Sequence, residues 1–220
     1  MIYGIDVYLQ ERPDITKIIP QGELKIKQGS DVTSTGYTWS KVGWKTPVSI
    51  DILSAPAAYS LSYDNSSDEE GSDGIDRIVR AAQKVSITLP DRLIEMMRRA
   101  KQGEGDDAEI VISSTGLYDL LQSFPTLEHQ LGKLGDDYNF QPALGIAKFT
   151  CGKPVYTVAF ETKVNAPEPI FRAIWEAAIS LAANYTGLAW DNELHEFLEI
   201  QGEACPDLAS LAAAIPILGR

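Results

Sequence analysis

Cysteine is scarce in this chain: 220 residues contain only Cys151 and Cys205. One pair cannot form a disulfide framework, and a chain of this length buries a sufficient core without one. Histidine is as rare. His129 and His195 lie far apart, and neither has a second histidine or cysteine at helical or turn spacing, so no metal site is expected. Long apolar runs are missing too. Even the most apolar helical segment, beginning at Pro167, carries Arg172 and Glu176 and falls short of the roughly 18 apolar residues of a membrane span. Cations are in deficit, with 19 Lys and Arg against 31 Asp and Glu and a net charge of -12. Nucleic-acid affinity comes largely from Lys and Arg displacing counterions, which weighs against a broad phosphate-binding surface. Glycine-rich phosphate loops also fail. GEGDD (103–107) and CGKP (151–154) lack Walker and dinucleotide spacing, and Asp106 and Asp107 would repel phosphate. SSTG (113–116) is a helix cap or turn, not a nucleophile elbow. No cofactor is expected.

Alternating apolar residues dominate the first half. Tyr3, Ile5, Val7 and Leu9 share one face, Leu24 and Ile26 another, and Val48, Ile50 and Ile52 a third, each the period of a half-buried strand. Residues 37–53 read as one long extended stretch in which Pro47 marks an edge or a break. Tyr59, Leu61 and Tyr63 alternate again. A short helix is expected over 75–82, a strand at VSITL (85–89), a helix from Pro90-Asp91, a buried strand at AEIVIS (108–113) and helices over 117–124 and 127–134. IAKFTCGKPVYTVAF (146–160) reads as two strands around a turn at 151–154. From 167 the period is helical, with a second helix expected over 193–201 and a third from Asp207 to about Ile215. The expectation is an α+β protein: a strand-rich N-terminal part, a central α/β segment and a C-terminal helical hairpin or three-helix cap. It divides into 1–165, a mixed β-rich domain, and 166–220, a helical segment packed on it.

Three segments invite a sharper reading. DNSSDEEGSDGID (64–76) has alternating carboxylates, but framing Asp73-Gly74 as the fifth and sixth positions of a calcium loop puts Gly71 at the third and Arg80 where the bidentate glutamate belongs. The frame fails, leaving a solvated, flexible acidic loop. KVSITLPDRLIEMMRRAKQG (84–103) matches the strand and first helix of a ribbon-helix-helix DNA binder, with Lys84, Ser86 and Thr88 facing bases and Val85, Ile87 and Leu89 facing the core. The β-branched segment that follows is a poor second helix, so a DNA-binding regulator is an alternative rather than the main reading. A small-molecule enzyme is the other alternative, with its acid or base in 136–140, where Asp136 and Asp137 lie, or beside Cys205 and His195. Cys151 is read as a small hydrophobe.

Large aromatics on extended segments anchor partners at interfaces. Trp39 and Trp44 are the expected interface residues, with Trp190 a third.

Two stretches resemble virion proteins of tailed bacteriophages. LIEMMRRAKQGEGDDAEIVISSTGLYDLLQ, with DYNFQP and GKPVYTV beyond it, is similar to the peripheral domain of the major capsid fold. On that likeness residues 37–53 would be the projecting arm. APEPIFRAIWEAAISLAANYTG and the acidic segment 193–203 look like the C-terminal helices of head-to-tail adaptor and connector proteins. The resemblance implies a non-enzymatic structural protein of a phage-like particle, a homo-oligomer that also binds other particle proteins, without membrane or sequence-specific nucleic-acid partners. It would lie in the host cytoplasm or the assembled virion; no signal-peptide pattern opens the chain.

Overall fold

The computed structural model describes residues 2–28, 34–61, 74–102, 109–134, 140–194 and 196–198. The protein is α+β and divides into two compact units, Met1–Ala55 with Pro154–Arg220, and Pro56–Lys153. The second is therefore an insertion in the first, and the expected boundary at 165/166 coincides with neither division. Among the described residues no helix is long and apolar enough to cross a membrane.

The first unit is built on a seven-stranded sheet. Its strands are β1 (Ile2–Leu9), β2 (Leu24–Ile26), β3 (Ser34–Trp39), β4 (Val48–Pro56), β8 (Pro154–Lys163), β9 (Leu188–Asp191) and β10 (Glu196–Phe197), in the order β10-β9-β1-β8-β4-β3-β2. β1 pairs antiparallel with β8 from Ile2↔Lys163 to Leu9↔Tyr156, and with β9 from Ile5↔Asp191 to Tyr8↔Leu188. Directly paired residues share a face, so the alternation of each strand fixes which side it buries. Tyr3, Ile5, Val7, Leu9, Val158, Phe160, Val48, Ile50 and Ile52 join one core with α6 (Glu168–Asn184). α6 starts with Pro169 in its first turn and buries Ile170, Phe171, Ile174, Trp175, Ala178, Leu181 and Ala182. Each large apolar side chain removed from water there contributes about 1.5–3 kcal/mol. Phe171 meets the Tyr3 ring edge-on, with centroids 5.0 Å apart.

In the second unit β5 (Ala58–Leu61), β7 (Glu109–Ser113) and β6 (Lys101–Gln102) form a three-stranded sheet with β7 central. Its helices are α1 (Gly74–Lys84), α2 (Asp91–Ala100), α3 (Ser114–Ser123), α4 (Leu127–Leu131) and α5 (Gln141–Thr150).

Several expectations need correction. Residues 85–89 form no strand. Ser86 adopts a left-handed φ of 60°, and the N–H groups of Ser86 and Ile87 donate to the carbonyls of Gln83 and Ala82, which closes α1 in a Schellman cap. The backbone donors a strand would use are spent there, while Ile87 and Leu89 point inward from an extended connector. Residues 146–150, read as strand, finish α5: Ala143, Leu144, Ile146, Ala147 and Thr150 are buried at helical spacing, and Pro142 suits the first turn. The helix expected over 193–201 is replaced, as far as Leu198, by a turn and β10. The Asp191 carboxylate accepts the N–H groups of Glu193 and Leu194 at 2.9 Å, the same chemistry as a helix N-cap, but the chain then turns back to pair with β9. The expected third helix lies outside the described residues. Residues 37–53 are no projecting arm; they contribute β3 and β4, an antiparallel pair inside the sheet, and Pro47 sits immediately before β4.

Candidate interaction surface at the end of the large sheet

Tryptophans mark the end of the sheet formed by β2 and β3. Trp39 packs in the core, and its indole N–H donates to Glu23 Oε2 at 2.9 Å. Half-buried Trp44 lies 5.1 Å from it, ring to ring, and the Lys41 ammonium stands over both rings at 5.2 and 5.6 Å. Such cation-π contacts contribute about 0.5–1 kcal/mol each at exposed sites. They hold the turn at 40–45, where Gly43 takes a φ of 90° that favours glycine. Val42 at the tip is fully exposed. Among the described residues β2 pairs with β3 alone and ends the strand order; its Ile26 is 71% exposed. Lys25, Lys41 and Lys45, close in sequence to these apolar groups, are exposed, and the Lys41 ammonium also lies 3.9 Å from Glu23 Oε2.

Lys27, on the same strand end, is engaged differently. Its ammonium donates to both Asp51 oxygens, at 2.7 and 2.8 Å, and to Ser49 Oγ. Gly36 lies beneath, where a Cβ would come within 2.7 Å of the lysine side chain and 2.8 Å of Asp51 Oδ1. Serine, lysine and carboxylate together suggest nucleophilic chemistry, but an ammonium with three donors so placed has no lone pair to take the serine proton. The group is an ion pair across β2, β3 and β4.

At the opposite end, Trp190 is buried and packs edge-on against Phe197 at 5.0 Å. Trp39 and Trp190 are thus interior residues, and only Trp44 of the three expected interface residues keeps an accessible ring. Asp191 is fully buried and accepts the Tyr3 hydroxyl at 2.8 Å as well as the two turn N–H groups. Asp6, on the other face of β1, accepts from the Asn192 amide at 3.2 Å. Burial pushes its carboxyl up to about 6; the Asn192 bond opposes the shift and Glu161 adds to it.

The remaining candidates do not converge. His129 is exposed on α4, and Cys151 is exposed at the left-handed cap of α5. Lys84 ends α1, while Ser86 and Thr88 lie in the connector after it, so no strand presents them to bases. Residues 64–73, 136–139, His195 and Cys205 lie outside the described residues. Among the described residues no three His, Cys, Asp or Glu side chains are grouped to hold a metal ion. The sequence reading missed Ile26 and Val42; the signal available was lysine flanking each, in LKIK and SKVGWK, with Gly43 marking the turn.

Comparison with known protein families, with curated proteins and with solved structures gives no match to this chain.

Proposed function

We propose that the chain is a non-enzymatic assembly protein that acts by binding copies of itself through the β2 end of the large sheet. The observation that carries this is Ile26, 71% exposed on a terminal strand, with fully exposed Val42 in the turn that follows the neighbouring strand and exposed Lys25 and Lys45 next to them in sequence, in a chain of net charge -12; Lys41 is shared with Glu23 at 3.9 Å. A terminal strand with unpaired backbone groups and exposed apolar side chains is a pairing template. Its local positive charge suits an acidic surface on the next copy, so the contact joins two different patches, head to tail. Contacts of that type close into rings or continue as filaments. The likeness to tailed-phage virion proteins supports placing the chain in a phage-like particle, with other particle proteins as further partners.

Sedimentation velocity at low and high salt tests the reading. The wild type should form oligomers that dissociate as salt screens the lysines, and the double variant Ile26→Asp, Val42→Asp should remain monomeric. A wild type that stays monomeric up to its solubility limit overturns the proposal, as does a double variant that assembles like the wild type.

A further inference from the structure

The second unit carries a cavity of about 400 Å³ between α2 and α3, over β7. That volume falls in the range of small-molecule sites, about 300–1,000 Å³. α2 contributes Arg92, Glu95, Met96 and Arg99, which recur at helical spacing and share one face. β7 contributes Val111 and Ser113, whereas its alternate residues Ile110 and Ile112 are buried. Leu120 and Gly116 come from α3.

The charges in the cavity do not cancel. Arg99 donates to Glu95 one turn back, so that pair is neutral. Arg92 has no carboxylate partner among the described residues, in a chain where acids outnumber cations 31 to 19. One guanidinium and the Ser113 hydroxyl thus face a floor of Met96, Val111 and Leu120. Gly116 keeps that floor open: a Cβ there would approach Met96 Sδ to 2.9 Å.

We infer that this cavity binds a small organic monoanion, a carboxylate with a compact apolar body, its head on Arg92 and Ser113 and its body on Met96, Val111 and Leu120. A guanidinium engages a carboxylate by paired, charge-assisted hydrogen bonds, and the apolar floor selects against a bare inorganic anion. This site is independent of the proposed self-association surface.

Calorimetric titration of the full chain with 4-phenylbutyrate, 4-phenylbutanol and inorganic phosphate tests the inference. Saturable binding of the carboxylate is expected, with the alcohol weaker and phosphate without measurable binding. Arg92→Gln, an exposed substitution that leaves the fold intact, should weaken the carboxylate about tenfold and leave the alcohol unchanged. Gly116→Leu should fill the cavity and abolish both. No saturable carboxylate binding by the wild type overturns the inference, and so does equal carboxylate affinity in Arg92→Gln, whether or not Gly116→Leu folds. Phosphate binding as tight as the carboxylate would also overturn it, since the apolar floor would then play no part.

Discussion

The two ends of the seven-stranded sheet handle polar and aromatic groups in opposite ways. At the β9–β10 end the chain satisfies itself: Asp191 takes three internal donors, Asn192 reaches Asp6, and Trp190 and Phe197 pack on each other. At the β2 end Ile26 and Val42 face solvent, Glu23 holds the Trp39 indole and lies 3.9 Å from Lys41, and the Lys27–Asp51 ion pair is itself one-third exposed. Apolar surface that one chain leaves uncovered, beside charge opposite to its net charge, is where another chain gains by docking. The closed end contributes stability, and the proposed self-association assigns recognition to the open end.

Substitutions can break or sharpen that contrast. The largest effect belongs to Asp191→Ala, which removes a buried carboxylate that accepts from the Tyr3 hydroxyl and from two half-buried turn N–H groups. We expect a loss of about 3–5 kcal/mol, read as a lower urea midpoint at unchanged slope.

Asp6→Asn comes next and has the opposite sign. The folded protein holds the Asp6 proton up to about pH 6, whereas an unfolded chain releases it near 3.8. Ionising the buried carboxyl therefore costs stability above pH 6, an effect that fades as pH falls and vanishes below the unfolded value. The amide, which still accepts from Asn192, should stabilise the protein by up to about 3 kcal/mol at pH 7.5 and by nothing at pH 3.5. Equal gains at both pH values would show that the carboxyl is not desolvated.

Thr186→Gly should add about 0.5–1 kcal/mol. Thr186 is β-branched yet left-handed, with a φ of 50°, in the cap where Gly187 N–H donates to Ala182 C=O between α6 and β9. Thermal unfolding would read it as a melting temperature raised by a few degrees. Smallest is Lys27→Met at the open end, expected to cost less than about 1 kcal/mol because the ion pair is partly solvated. A loss matching that of Asp191→Ala would erase the distinction between the two ends.

Much of the large sheet was legible because period-two alternation survives in Tyr3, Ile5, Val7, Leu9 and in Val48, Ile50, Ile52, and because the α6 pattern is long. Errors cluster where one local signal serves two structures. VSITL alternates, but two inward residues after a capped helix alternate as well. DNELHEF carries the signature of a capped helix start, and the same Asp191 bonds serve a turn between short strands. Ile146 and Thr150 are β-branched, and burial in α5 overrode that preference. The candidate surface was half legible: the aromatic cluster was singled out, yet nothing local told that Trp39 is covered while Ile26, on the same face of the sheet, is left exposed. That difference depends on β2 being the last strand, which only the assembled sheet decides.

The insertion of residues 56–153 between β4 and β8 bears on the order of events during synthesis. β1 leaves the ribosome well before its two neighbours, which come from far downstream, with Ile2 opposite Lys163 and Ile5 opposite Asp191. The inserted unit is one contiguous stretch and can fold as soon as it emerges, while its host waits with apolar strands unmatched. Translation pauses or chaperones acting between the exit of residue 56 and that of residue 191 would thus influence the yield of the large sheet far more than that of the small one.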